Sequence, residues 1–205
     1  MTLHTIGDSH AWLPFLQIGR AVTHYLGPVT MKRIGHHEET LLHDVVRSMG
    51  PLPLQPGGAL VFSFGEVDIR CWVHVHVSQR CRELGELLHE WTSNYLDKVR
   101  SVPVFAPLEA LCVLAITPPV TAAQAHNVDF PVAGSDADRA RYTAFANSML
   151  AAGCAKRGLR FLDSYSRYVG DDGMMRPELA DNSVHIGNVD GLRSLLVEQG
   201  LIEKR

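Results

Sequence analysis

Short apolar runs alternate with longer segments of helical periodicity along this chain. The run at 59–64, Ala-Leu-Val-Phe-Ser-Phe, is continuously apolar and β-favouring, which is typical of a parallel strand covered on both faces. Glycine or proline follows most of these runs, as expected where a strand ends and the chain turns. Five runs therefore predict strands, at positions 3–6, 21–26, 59–64, 110–117 and 159–162.

Apolar residues at three- and four-residue spacing predict helices between the strands. The longest apolar stripe, expected to lie on the sheet, consists of Cys81, Leu84, Leu88, Trp91, Tyr95 and Val99. Trp91 and Tyr95 also suit an oligomer interface, so the sequence leaves the oligomeric state open. The predicted helices cover positions 11–18, 39–49, 78–99 and 189–199.

A further helix is predicted to begin at Ser135 and to end near Gly158. Ser135 and Asp138 form a capping-box pattern at its start, with aspartate in the reciprocal position. The side chains expected to be buried along this helix are Tyr142, Phe145, Met149 and Leu150.

Strands that alternate with helices predict a single domain over residues 1–205, a three-layer α/β/α sandwich with a five-stranded parallel sheet, flavodoxin-like in architecture. Ligands of such sheets bind beyond the carboxyl ends of the strands, where the strand order reverses. The loops at 51–58, 118–134 and 164–187 are long, and we expect them to determine the shape of the pocket.

Composition narrows the classes of partner. The 205 residues are 46% apolar, carry a net charge of −3 and contain no run of lysine or arginine. We therefore expect a small-molecule ligand and neither nucleic acid nor a membrane surface. The four cysteines lack CxxC spacing, which indicates core residues in a reducing compartment. With no apolar segment near 18 residues and no leader pattern, the expected location is cytoplasmic.

One stretch carries the pattern of a nucleophile. In Thr5-Ile6-Gly7-Asp8-Ser9-His10, a serine follows a predicted strand and precedes a predicted helix. A hydroxyl there projects beyond the sheet, beside backbone N–H groups that favour negative charge. His185 and Asp181 could supply the imidazole and the carboxylate that activate it. Gly-Asp-Ser is also ordinary turn and helix-capping chemistry, which is the competing interpretation.

These blocks together resemble the SGNH/GDSL hydrolase superfamily. They are Gly7-Asp8-Ser9, a glycine after the second strand, Gly-x-x-Asp after the third strand, and an Asp/His pair before the last helix. The chain is most similar to a branch with a Gly-Asp-Ser-His start, a Leu-Gly-Pro-x-Thr-Met-x-Arg-x-Gly stretch at 26–35, and a Gly-Glu-Ile/Val-Asp third block followed by an arginine.

The resemblance implies a role for each matching residue. Ser9 would be the nucleophile and, through its N–H, an oxyanion donor, with Gly35, or less favourably Gly27, as the second donor. His185 would be the general base, oriented by Asp181. No metal or organic cofactor is implied.

Two positions depart from the superfamily pattern. Val67 replaces an asparagine whose amide points into the oxyanion hole, and loss of one such donor typically costs about 100- to 1000-fold in turnover. Arg70 is a candidate replacement. Asp181 lies four residues before His185 instead of three, and Asn182 occupies the usual position, so Asn182 is the alternative partner.

Other polar residues near the predicted strand ends remain open to two interpretations. Glu66, Asp68 and Arg70 could bind a polar substrate or form a structural ion pair. His10 could reach the substrate from the first helical turn or be a partly exposed histidine there. The His-Val-His pattern of His74 and His76 suggests metal ligation from a strand, but no third ligand accompanies it.

The function implied is an esterase or deacylase that cleaves a small polar ester through an acyl-enzyme, with a carbohydrate-linked ester as one candidate substrate. An acyltransferase with the same triad is one alternative. A catalytically weak binding domain is another, because Val67 stands where a donor is expected. A nucleotide-binding flavodoxin-like module is disfavoured because no Gly-rich phosphate loop follows the first strand.

Overall fold

The computed structural model describes residues 2–19, 21–36, 38–49, 58–103, 110–125 and 127–204. Its strands are β1 (Leu3–Gly7), β2 (Ala21–Tyr25), β3 (Ala59–Ser63), β4 (Ala110–Leu114) and β5 (Arg160–Leu162). They form one fully parallel sheet in the order β2-β1-β3-β4-β5. The strand order reverses beside β1, so the carboxyl end of β1 lies at the switch point where such sheets bind ligands.

Seven α-helices are found in the described residues, together with π-helical and 3-10 turns. They are α1 (Ser9–Ile18), α2 (Met31–Gly35), α3 (Leu41–Met49), α4 (Leu84–Arg100), α5 (Asp136–Arg157), α6 (Tyr165–Tyr168) and α7 (Asp190–Glu198). Helices α2 to α5 pack on one face of the sheet, and α1, α6 and α7 pack on the other. This arrangement confirms the predicted α/β/α sandwich with a five-stranded parallel sheet.

The apolar run of β3 is explained by its two buried faces. Leu60 and Phe62 pack into the core under α4 and α5, whereas Ala59 and Val61 pack into the core under α1 and α7. Successive side chains of a strand point to opposite faces, so a central strand needs apolar residues at every position.

The fourth predicted strand, 110–117, is shorter in the structure. Its regular pairing ends at Leu114, and beyond it the side chain of Asn147 takes the place of a neighbouring strand. The Asn147 amide accepts a hydrogen bond from Ile116 N–H at 2.8 Å and donates one to Ile116 C=O at 2.9 Å. A single side chain therefore satisfies the backbone groups that the strand leaves unpaired.

The segment after β3 departs most from the sequence prediction. A helical segment with π-helical turns at Asp68–Val73 and Val75–Gln79 precedes α4, which begins only at Leu84. The interpretation of His74 and His76 as strand residues is therefore wrong. Cys81 follows the π-helical turns, exposed and with a φ of 50°, and does not belong to the helical stripe. A search at the α-helical period misses this segment because π-helical hydrogen bonds join residues five apart.

The buried side chains also refine the helix predictions. Trp91 and Tyr95 are only 2% and 0% exposed, so they pack in the core and do not form an oligomer interface. The capping box at the start of α5 is confirmed, since Ser135 and Asp138 exchange both hydrogen bonds. Phe145 was expected to be buried but is 38% exposed.

The four cysteines are unpaired; Cys71, Cys112 and Cys154 are buried.

Within the described ranges, no helix combines the length and apolar character needed to cross a lipid bilayer.

Candidate active site

Ser9 is the first residue of α1, directly beyond the carboxyl end of β1. Asp8 caps the helix, and its Oδ1 accepts a hydrogen bond from His10 N–H at 2.9 Å. A Cβ on Gly7 would lie 2.0 Å from the carbonyl oxygen of Ser63, so only glycine allows this close approach of β1 and β3. The first N–H groups of a helix have no partner within it, and they favour negative charge beside Ser9.

Ser9, His185 and Asp181 form one hydrogen-bonded chain. The Oγ of Ser9 is 2.8 Å from Nε2 of His185, and Nδ1 of His185 is 3.0 Å from Oδ2 of Asp181. With a proton on Nδ1, the imidazole donates to the carboxylate and accepts from the serine hydroxyl. This is the geometry in which a histidine removes the proton of an attacking serine.

A tight loop holds the acid and the base together. Oδ1 of Asp181 accepts hydrogen bonds from Ser183 N–H at 2.8 Å and His185 N–H at 3.2 Å, while Asp181 N–H donates to His185 C=O at 3.1 Å. Asn182 is exposed and adopts a left-handed φ of 67° within this turn. The turn thus accommodates the one additional residue that separates Asp181 from His185 relative to the superfamily pattern. The structure brings Asp181 rather than Asn182 to the imidazole.

A buried group of charged residues lies beneath the triad. Arg70 donates from Nε and Nη2 to the two carboxylate oxygens of Glu66, at 2.7 and 2.9 Å, and from Nη1 to Phe130 C=O at 3.1 Å. His10 Nε2 is 3.6 Å from Glu66, an ion-pair distance without a hydrogen bond. The His10 ring also lies 4.9 Å from the ring of His185. His10 therefore contacts the base and not the cavity.

Burial and these charges together set the protonation states. Burial alone would lower the pKa of His10, but Glu66 and Asp8 outweigh it and raise that pKa. Burial likewise opposes ionisation of Glu66, yet His10 and Arg70 lower its pKa to about 2. For His185, burial and the neighbouring His10 lower the pKa, against the opposing effect of Asp181. A lowered pKa keeps the imidazole of His185 neutral and able to accept a proton.

Asp68 occupies a structural position. Its carboxylate accepts hydrogen bonds from Met31 N–H at 2.6 Å and Lys32 N–H at 3.1 Å, at the start of α2. The side chain is fully buried, and burial raises its pKa to about 7. The prediction that Asp68 binds substrate is corrected accordingly, because its oxygens are directed to the backbone of α2 instead of the cavity beside Ser9.

The structure also separates the two glycines considered as oxyanion donors. Gly35 ends α2 against α4, where a Cβ would lie 2.8 Å from the backbone nitrogen of Tyr95. Gly35 is not among the residues that line the cavity beside Ser9, and its expected role as donor stays a prediction. Gly27 has a φ of 79° and open space where a Cβ would be, between Tyr25 and the cavity-lining Pro28. Gly27 is thus next in the chain to a residue that lines the cavity.

A cavity of about 300 Å³ opens beside Ser9 and His185. Val67 contributes an apolar wall, and Arg70 also lines it. Asn127 and Phe130 come from the loop at 118–134; of the other predicted loops, 164–187 contributes residues near His185, and 51–57 lie outside the described residues. Asn127 and Phe130 were not predicted, because a loop without periodicity gives no signal of which side chains turn inward.

No set of three or more histidine, cysteine, aspartate or glutamate side chains in the described ranges is arranged to hold a metal ion.

The sheet order, the helix-start serine and the Ser-His-Asp chain define an α/β/α protein with the SGNH-hydrolase fold. No protein-family model matches the chain, and no curated protein matches it significantly in sequence. Among solved structures, the chain is similar to a GDSL-like lipase from Bacteroides thetaiotaomicron, at 12% identity and a TM-score of 0.61, with 98% of this chain and 87% of that one covered.

Two further solved structures have the same fold. The aryl esterase of M. smegmatis matches at 15% identity and a TM-score of 0.58, covering 98% of this chain and all of the other. The OSK domain of Drosophila Oskar matches at 14% identity and a TM-score of 0.52, covering 98% of this chain and 88% of that domain. Likeness at these identities establishes the fold, so function must be argued from the site.

Proposed function

We propose that this protein is an SGNH-type serine hydrolase that cleaves esters of small polar molecules through an acyl-enzyme. The observation that carries the proposal is the 2.8 Å contact between Ser9 Oγ and His185 Nε2, continued at 3.0 Å to Asp181. Similar solved structures named as a lipase and an esterase support the same reaction class.

The first half-reaction forms the acyl-enzyme. Ser9 Oγ attacks the ester carbonyl carbon while its proton passes to Nε2 of His185, and the carbonyl oxygen becomes an oxyanion. Asp181 stabilises the imidazolium that results. The carbon–oxygen bond to the alcohol then breaks, and His185 returns its proton to the leaving oxygen.

The second half-reaction releases the acid. Water takes the place of the alcohol, His185 removes its proton, and the hydroxide attacks the acyl carbon. The bond to Ser9 Oγ breaks, and His185 protonates the serine. An acyltransferase would use an acceptor hydroxyl in place of this water.

The oxyanion requires donors that are directed at it before the reaction begins. The N–H groups of Ser9 and Gly27 are the backbone candidates. The side chain of Val67 has no polar atom to offer, but Arg70 and Asn127, which also line the cavity, carry side-chain N–H groups. Arg70 uses three of its five N–H groups in the bonds described above, which leaves two for a substrate. Asn127 accepts from Asp129 and Phe130 through its oxygen, so its amide nitrogen is the donor to consider.

The test is hydrolysis of 4-nitrophenyl acetate and butyrate by the purified protein and by Ser9→Ala. We expect steady turnover by the wild type and a loss of about 10,000-fold or more in the variant. Equal rates for the two proteins, with the wild type folded, would overturn the proposal. Product analysis with glycerol present separates hydrolysis, which gives free acid, from transfer, which gives acylglycerol.

A further inference from the structure

A second cavity, of about 440 Å³, adjoins the one beside Ser9. Pro28, Val67 and Phe130 line both cavities, so the two are contiguous across these three side chains. A substrate whose ester lies at Ser9 and whose remainder is longer than the first cavity can therefore extend over Val67 into the second.

Cationic side chains dominate this second cavity. Lys32, Arg33 and Arg80 line it, against the single carboxylate of Asp129 among the described lining residues. Arg33 is paired with Glu39 at 3.0 Å. In the part of the chain that the structure describes, no carboxylate lies within ion-pair distance of Lys32 or Arg80. The protein as a whole carries a net charge of −3, so the excess of positive charge in this cavity is opposite in sign to the charge of the whole chain.

A buried polar atom without a partner lies among these cations. His76 is 7% exposed and lines the cavity, and its Nδ1 has no hydrogen-bond partner among the described residues. Its Nε2 is 3.4 Å from Nζ of Lys32, and both side chains pack on Trp91. Within the described part of the chain, the charges in this cavity that lack a counter-ion are therefore those of Lys32 and Arg80, and an anion bound there would compensate both.

The π-helical segment explains why these groups share one side. Val67, Cys71, His76 and Arg80 recur every four or five residues, and all of them line the cavity, as does Trp72, the neighbour of Cys71. In an α-helix this spacing would drift around the axis, whereas π-helical turns keep it aligned. Such turns are found frequently at functional sites.

We propose that the second cavity binds an anionic group, a carboxylate or a phosphate, carried by the ester substrate whose cleavage is proposed above. Lys32 and Arg80 provide the charge, and the ring of His76 lines the same cavity beside Lys32. Trp72, which is 47% exposed, and Phe130 provide apolar surface for the part of the substrate that joins the anion to the ester.

The experiment measures binding without cleavage. Ser9→Ala is titrated by calorimetry with paired esters that differ in one anionic group. On the acyl side the pair is 4-nitrophenyl hydrogen glutarate and 4-nitrophenyl valerate. On the alcohol side, phenyl acetate is compared with 4-carboxyphenyl acetate and with 4-acetoxyphenyl phosphate, which also separates carboxylate from phosphate. We expect at least one anionic ester to bind about tenfold more tightly than its neutral counterpart.

The same pairs are then measured with cavity variants in the Ser9→Ala background. Lys32→Met and Arg80→Gln should each remove most of the anionic preference, whereas Arg141→Gln, a surface change outside the cavity, should retain it. Equal affinity for every anionic and neutral pair, or a preference that survives both cavity variants, would overturn the proposal. Because binding is measured here and turnover is measured with neutral esters, failure of this subsite is distinguishable from failure of the proposed hydrolysis.

Discussion

Two walls of the active-site cavity have opposite constructions. The loop from Asp181 to His185 is partly exposed and directs the Asp181-bound imidazole of His185 to Ser9. The turn that carries Glu66 and Asp68 directs both carboxylates into the protein, and of this turn Val67 and the Glu66-paired Arg70 line the cavity. The comparison indicates that the first wall holds the reacting groups, whereas the second fixes the framework and the charge around them.

The largest effect is expected at the contact between Asp181 and His185, within the first wall. Asp181→Asn replaces the acceptor of His185 Nδ1–H with an amide that can hold the wrong tautomer. We expect kcat/KM for 4-nitrophenyl acetate to fall by about 100- to 10,000-fold, with the unfolding midpoint little changed. Asn182→Gly is the matched control, because glycine adopts the φ of 67° without strain. An equal loss in the control would make Asn182 the functional partner.

A substitution in the second wall should lower the stability of the folded protein. Glu66→Gln leaves the buried Arg70 without its bidentate carboxylate. We expect the free energy of unfolding, measured in urea at pH 7, to fall by about 3–5 kcal/mol. Glu198→Gln, which removes an exposed partner of Arg167, should cost at most about 1 kcal/mol.

The pH dependence checks the cause of that loss. The pKa of Glu66 is lowered to about 2, so its stabilising effect is fully present above the ordinary carboxyl pKa and is lost as the pH falls toward 2. The difference between wild type and Glu66→Gln should shrink over that window. A difference that stays constant with pH would mean that packing, and not charge, is lost.

A substitution at Val67 can give the second wall a polar group that faces the reacting atoms. Val67→Asn introduces an amide where the SGNH pattern has one, and we expect kcat for acetyl esters to rise by about tenfold, part of the 100- to 1000-fold that one oxyanion donor is worth. Val67→Ala provides the same space without a donor. If the asparagine variant is no faster than the alanine variant, Arg70 or Asn127 already completes the oxyanion hole.

The smallest effect concerns His10, which links the two walls. Its charge helps to lower the pKa of His185, and a general base must be deprotonated to act, so the acid limb of kcat/KM should lie below pH 6.5. His10→Gln removes that charge and should move the limb to higher pH. A limb that does not move would show that His10 only fills space.

The parts of the fold that follow from periodicity could be predicted from the sequence. The five strands, the capping box of Ser135 and the triad blocks depend on local patterns that tertiary contacts reinforce. The π-helical segment could not be predicted, because its spacing matches neither the helical nor the strand period. The packing of Gly35 against α4 and the position of Asp68 at the start of α2 depend on tertiary contacts, which no local pattern encodes.

The central claim is that Ser9 is a nucleophile activated by His185, and labelling with a fluorophosphonate probe tests it most directly. Intact mass spectrometry and peptide mapping should find one adduct, on Ser9, in the folded wild type, with labelling strongly slowed in His185→Ala. Folded wild-type protein that remains unlabelled, or that is labelled at another residue at the same rate in Ser9→Ala, would contradict the account.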